Sequence, residues 1–309
     1  MSIRTRSAGT VAALGAAAAL LLAGCGSGAT PAAQPTPDAT KLPVVTTTNV
    51  YGSIAAAVGG DRVAVTSLVN DPSADPHSFE ATPADATKVA DARIVVMNGG
   101  GYDDFATKLA ESAGGERKII DVAQLSGLKP AGDAEFNEHV WYSLPTVTKL
   151  AETLAADLTA TDPAGASSYQ AGAAAFVEKV KGLQQRVDAI KAKDAGQRVA
   201  ITEPVPLYLV EAAGLVNATP EEYSEAIEED TDPPAAVLQQ TLDLFKGTPV
   251  RALILNDQTQ TPTTDQVKQA AQTSGVPVVD VSETLPAGQT DYITWMGGQI
   301  DALAAALNR

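Results

Sequence analysis

Apolar, β-branched runs alternate with segments of helical period along this chain, and they do so twice. Leu42–Thr48, Val63–Val69, Arg93–Met97 and Lys118–Val122 read as strands in the first half. Gly52–Val58 and Pro83–Ala90 between them carry helical spacing. Thr82-Pro83 predicts a helix start, because a capping hydroxyl precedes a proline whose fixed φ suits the first turn. The second half repeats the pattern with Val199–Thr202, Leu215–Ala218, Val250–Leu255 and Val278–Val281 as strands. Pro234–Phe245 and Thr264–Thr273 are the helical segments that separate them. Such alternation predicts parallel sheets covered by helices, with ligand sites at the C-terminal strand ends.

Between the halves, Tyr169, Ala173, Phe176, Val177, Val180, Leu183, Val187 and Ile190 recur at spacings of three and four. They define one face of a long amphipathic helix that starts at Asp162-Pro163 and ends near Gly196. Thirty or so residues rising about 1.5 Å each give a rod of about 45 Å, long enough to join two lobes stiffly. The expected fold class is therefore α/β, with two lobes, each a mostly parallel sheet flanked by helices, joined by one long linker helix. The expected boundaries are 42–162 for the N-terminal lobe, 163–195 for the linker helix and 196–309 for the C-terminal lobe.

The beginning of the chain does not belong to this pattern. Arg4 and Arg6 precede an Ala/Leu stretch, Val11–Leu22, that is too short for an ordinary membrane span. It ends in Leu22-Ala23-Gly24-Cys25, and Cys25 is the single cysteine. Residues 1–24 therefore read as a lipoprotein signal peptide, and Cys25 as the lipidated N-terminus left by its removal. Residues 25–41, rich in Gly, Ala, Pro and Thr, are expected to be a disordered tether. One cysteine excludes an intrachain disulfide. The net charge of −16 grows more negative once Arg4 and Arg6 leave with the leader. That balance argues against nucleic-acid partners and against peripheral binding to anionic lipid, and it is compatible with cation capture.

There are only two histidines. His77 lies in NDPSADPHSFE, after the second expected strand, and His139 lies in EFNEHVWYSLP, before the helical run that starts at Pro145. Both are flanked by acids and turn residues. No H-E-x-x-H or Cys/His cluster accompanies them, so spacing alone gives no zinc signature. Candidate carboxylates come from the second half. Glu203 ends the strand in RVAIT, Asp291 opens the last helix in GQTDYITWM, and Asp257 follows the strand in ALILN and competes with Asp291. Strand-end acids commonly just cap helices or face water. The acidic run Glu221–Asp232 reads as a solvated face or loop, with metal contact a minor alternative.

With these stretches in view, the chain from Leu42 to Arg309 resembles the metal-binding solute receptors of ABC importers, the zinc and manganese cluster with two lobes and a rigid helix. The resemblance rests on GGDRVAVTSLV, DPHSFEATPAD, HVWYSLP, the long helix, ITEP after a strand, and GQTDYITWM. It implies one divalent metal ion in the cleft, held by His77, His139, Glu203 and Asp291. Family members place an acid-Pro pair before the second histidine, where Asn137-Glu138 stand here. The resemblance further implies an ABC permease with its ATPase as partners, and a monomer anchored on the extracytoplasmic face of the cell membrane.

Asp75-Pro76 would stiffen the turn that presents His77, since proline fixes its own φ and restricts the residue before it. Two imidazoles with two carboxylates make a harder donor set than three histidines, and Ser126–Phe136 contains no His-rich loop. Manganese is therefore favoured over zinc, with ferrous iron as a third candidate. Two rivals come from other classes: a surface adhesion lipoprotein, and a metalloenzyme with an open coordination position. No G-x-S-x-G elbow or nucleophilic cysteine supports an enzyme.

Overall fold

The computed structural model describes residues 41–71, 76–129 and 136–309. The expected leader, Cys25, the tether before Lys41, and Asp75 lie outside the described residues.

The first half runs β1 (Leu42–Thr48), α1 (Asn49–Gly59), β2 (Val63–Val69), α2 (Pro83–Asp91), β3 (Ile94–Met97), α3 (Asp104–Ser112), β4 (Lys118–Asp121), α4 (Val122–Ser126) and α5 (Leu144–Thr161). After a 3₁₀ turn at Pro163–Gly165 comes α6 (Ala166–Asp194). The second half runs β5 (Arg198–Ile201), α7 (Leu207–Ala212), β6 (Val216–Asn217), α8 (Glu221–Glu228), α9 (Ala235–Asp243), β7 (Leu253–Asn256), α10 (Pro262–Thr273), β8 (Val278–Val281) and α11 (Tyr292–Leu307).

Each half forms a four-stranded parallel sheet, ordered β2-β1-β3-β4 and β6-β5-β7-β8. The same order recurs, so each sheet has its switch point beside its first strand, between β1 and β3 and between β5 and β7. Crevices open at the carboxyl ends of strands at such points.

The strands read as apolar runs because both faces of each sheet are covered. Alternate side chains then divide between two cores. Val44, Ile94 and Val96 face a central core, while Val45 and Val95 face an outer one. Val199, Ile201, Ile254 and Val279 reach the same central core, while Ala200, Leu253 and Leu255 face a second outer core. The central core is continuous between the two sheets. Its spine is α6, whose Tyr169, Phe176, Val180, Leu183, Val187 and Ile190 are all buried at the expected spacing. This helix packs on α1 and α5 of the first half and on α7 and α11 of the second. Gly172 permits the approach to α1, since a Cβ there would lie 2.4 Å from the Val58 carbonyl oxygen.

Hydrogen bonds also join the halves directly. Asn49 pairs reciprocally with Leu285, donating from Nδ2 to its carbonyl at 3.1 Å and accepting from its amide at 2.8 Å. Tyr142 Oη donates to the Ser282 carbonyl at 2.8 Å, and Tyr292 Oη donates to the Trp141 carbonyl at 2.7 Å.

Some expected elements shift. The strand expected at Val250–Leu255 runs Leu253–Asn256 instead. Val250 is apolar because it is buried in the connection, where its amide donates to the Leu244 carbonyl. The first helix starts at Asn49, before Gly52, directly where β1 ends. Thr82 caps α2 as its sequence indicates, in a reciprocal capping box with Asp85 and with Pro83 in the first turn.

Candidate metal site

Of the polar side chains of interest, His77, Glu203 and Glu283 follow β2, β5 and β8, while His139 and Glu228 come from a turn and a helix end. His77 stands on the turn between β2 and α2. Pro76 of that turn accepts the Phe79 amide at 3.3 Å, and the α2 capping box fixes the chain downstream. His139 directly precedes a 3₁₀ turn, Val140–Tyr142, and is fully buried against Trp141.

The Asn137-Glu138 pair that stands before His139 has a definite role. Asn137 Oδ1 can only accept, and it lies 2.7 Å from His139 Nδ1 and 3.1 Å from the His139 amide. Its Nδ2 donates to the Pro204 carbonyl at 3.1 Å, which fixes the orientation of the amide. Nδ1 of His139 therefore carries the hydrogen, and Nε2 points into the cleft as a lone-pair donor.

Two carboxylates meet these imidazoles. Glu228, the last residue of α8, places Oε1 3.2 Å from Nε2 of both His77 and His139. Glu283, two residues beyond β8, places Oε2 3.5 Å from His77 Nε2 and 3.8 Å from His139 Nε2. One ligand atom each from His77, His139 and Glu228 falls within 4.8 Å of the others. Among the described residues, His139 Nε2 and both Glu228 oxygens are buried with no hydrogen-bond partner outside this group of imidazoles and carboxylates. Buried polar atoms are almost always partnered, so such convergence asks for a cation.

Electrostatics support that reading. For His77, burial works against the charged form, but hydrogen bonds to Glu228 and Glu283 prevail and raise its pKa to about 11. His139 is likewise raised, with burial opposed by the Glu228 charge. Burial would raise Glu228, yet His139 and His77 hold it well below the ordinary carboxylate range. Without a metal, a proton on His77 supplies positive charge beside the carboxylates.

The other sequence candidates sit differently. Glu203 is buried near enough to feel the charges of Glu228 and Glu283, and its Oε2 has no hydrogen bond. Burial first, then the charges of Glu228 and Glu283, raise its pKa to about 8, so its carboxyl is protonated at neutral pH. Asp291 is the N-cap of α11 and accepts from the Thr294 amide at 2.7 Å and the Thr294 hydroxyl at 2.6 Å. Asp257 is solvent-exposed, and after burial it is the charge of Asp280, not a histidine, that raises its pKa. The structure thus gathers His77 and His139 with Glu228 and Glu283, buries Glu203 near the two carboxylates, and gives Asp291 and Asp257 other partners. The acidic run expected as a solvated face or loop, with metal contact a minor alternative, forms α8 over Glu221–Glu228: Glu221 and Glu222 are exposed, and its last residue, Glu228, turns inward. Replacing Asp291 by alanine should cost about 1 kcal/mol of stability through the lost cap and leave metal affinity unchanged. Denaturant unfolding beside a metal titration checks both halves of that statement.

Sequence signals for the two missed acids existed. Glu283 stands two residues past β8, as Glu203 stands two past β5. Glu228 lies four residues after the buried Ser224, so it shares that face of α8.

An open cavity of about 510 Å³ leads to the group, lined by Phe136, Asn137, Glu138, Pro204, Glu225 and Glu228 among others. Its acidic wall attracts cations.

Two like sheets braced by one helix, with imidazoles and carboxylates converging between them, define a two-lobed metal-binding receptor. The chain belongs to the family described as zinc-uptake complex component A, periplasmic, whose model matches residues 44–306. It is 27% identical over 241 residues to the manganese-binding lipoprotein MntA of Halalkalibacterium halodurans, covering 73% of this chain and 79% of that protein. It is 28% identical over 230 residues to the manganese ABC transporter substrate-binding lipoprotein PsaA of Streptococcus pneumoniae, covering 66% and 73%. The fold matches the solute-binding protein FpvC of Pseudomonas aeruginosa in complex with Mn²⁺, with a TM-score of 0.71 at 22% identity, over 87% of this chain and 99% of that one.

Proposed function

We propose that this chain captures a divalent transition metal and delivers it to an ABC permease driven by its ATPase, with His77, His139, Glu228 and Glu283 as the ligands. The observation that carries this reading is the convergence of nitrogen and oxygen atoms with no partner outside the group, His139 Nε2 and both Glu228 oxygens, on one buried point. Two neutral imidazoles and two carboxylates neutralise a divalent cation. Glu203 stands close enough in charge to feel both carboxylates and serves as a reserve acid. Asp291 acts through the start of α11.

Oxygen donors equal in number to nitrogens favour manganese, with zinc close behind and ferrous iron third. The cargo is held, not transformed: four side chains enclose it, which fits a receptor better than an enzyme that keeps a position open for substrate. The receptor works as a monomer, lipidated at Cys25 and tethered to the extracytoplasmic face of the cell membrane. Among the described residues no helix is long and apolar enough to cross a membrane.

Titration of the mature protein with manganese, zinc and ferrous iron tests this. One equivalent should bind. Glu228→Gln should weaken binding by about 100-fold or more, beyond the loss typical of an outer partner. Absence of stoichiometric binding by the unmutated protein would refute the receptor reading.

A further inference from the structure

We infer that Tyr102 fixes Glu283 as a single-oxygen ligand and thereby sets the preference of the site among divalent metals. The inference rests on the metal-receptor reading above and adds to it a residue that decides coordination.

Tyr102 follows β3 of the first half, and Glu283 follows β8 of the second. Tyr102 Oη donates to Glu283 Oε2 at 3.1 Å. On the other side Asn256 Nδ2 donates to Glu283 Oε1 at 2.9 Å. The Glu283 amide is held by Gln258 Oε1 at 2.6 Å. The carboxylate is 97% buried, at 3% exposure, and its plane is held by donors from both halves. In that orientation Oε2 is the atom that faces the two imidazoles, at 3.5 and 3.8 Å. Chelation by both oxygens would require Oε1 to turn from Asn256 towards the metal, a rotation that would also carry Oε2 out of its present alignment with the Tyr102 hydroxyl.

Glu228 has no such restraint among the described residues, since beyond the imidazoles it faces no donor holds its oxygens. The protein can therefore offer one nitrogen from each histidine, one oxygen from Glu283, and one or two from Glu228. Four or five donors suit zinc's tetrahedral habit and a five-coordinate manganese, and they fall short of the six that harder cations complete most readily. Freeing Glu283 to chelate would add an oxygen and move the balance towards manganese.

Tyr102 is a positioning residue, acting on the metal through Glu283. Its ring also packs edge-on against His77, with centroids 4.7 Å apart, and leans on Trp141 at 4.9 Å. Tyr102→Phe keeps that packing and removes only the hydroxyl.

The test compares the unmutated protein with Tyr102→Phe, using manganese, zinc and cobalt(II) as probes. The affinity ratio of manganese to zinc should rise about tenfold in the variant, the scale on which outer partners act. The visible bands of bound cobalt should weaken, because higher coordination numbers give weaker d–d absorption. An unchanged ratio with an unchanged cobalt spectrum overturns the inference. A parallel loss for both metals with the spectrum unchanged also overturns it, since that is a merely structural effect. If the unmutated protein binds none of the three, the receptor reading itself fails and this inference falls with it. That failure is distinguishable because it appears without any substitution.

Discussion

Replacing His139 by alanine should abolish stoichiometric metal binding and also weaken the metal-free protein, a pair of effects no other single substitution here should match. The imidazole is 0% exposed, is oriented by Asn137, and presents Nε2 to both carboxylates. Its removal takes away a donor held in its productive orientation, so affinity should fall well beyond the roughly 10–100-fold loss of an outer partner. It also deprives Glu228, 14% exposed, of one of two charge partners 3.2 Å away, His77 being the other. Leaving a buried charge with no partner costs about 3–5 kcal/mol, and losing one of two should cost part of that. Calorimetric titration and denaturant unfolding read the two losses separately. His77→Ala should match the binding loss with a smaller stability loss, because a quarter of the His77 side chain (26%) is already exposed to water. Near-normal binding by His139→Ala would move the site elsewhere.

The second large effect is on pH. Ordinary histidines are neutral above about pH 7.5, so proton competition with a metal would normally have ended there. Here the His77 pKa is raised to about 11, and that of His139 is raised as well. Metal binding should therefore release protons even at pH 8, and affinity should keep climbing with pH through the range where an ordinary site has levelled off. With the His77 proton displaced, affinity should change by up to about tenfold per pH unit through that range. The stability of the metal-free protein should run the opposite way. A histidine whose folded pKa lies above its unfolded value stabilises fully below about pH 6.5, and that contribution is lost as pH rises towards 11. Titrations in buffers of different ionisation enthalpy count the protons. A count near zero at pH 8 would mean that the imidazoles are neutral before the metal arrives.

The fold was legible because both sheets are buried on two faces. Their strands stand out as apolar runs, and the α6 face repeats too regularly to mistake. Thr82 and Pro83 marked the α2 start because capping is a local matter. The site was only half legible. His77 and His139 were found through rarity, since a chain with two histidines leaves little choice. The carboxylates were harder, because acids are common in this chain and their value depends on which way a strand end or helix face turns. Asp291 and Glu228 show the difficulty. One has a motif around it and is placed as a helix cap, while the other sits in a run that looks like solvated surface yet turns its last residue to the histidines. Asn137 stood where the family has a different pair, and only the bond to His139 Nδ1 shows that it orients the ring.

One apolar interior threads both sheets along α6, reinforced by the reciprocal Asn49–Leu285 pair. A receptor built this way cannot announce its cargo by snapping shut like a jaw, because its halves share too much to part widely. Its silhouette should be nearly the same loaded and empty. A permease must then tell the two apart by touch, through the few side chains at the rim of the cleft, and empty receptors become rivals of loaded ones for the same berth. The traffic of metal into the cell is then governed by the proportion of receptors that are filled as much as by their number.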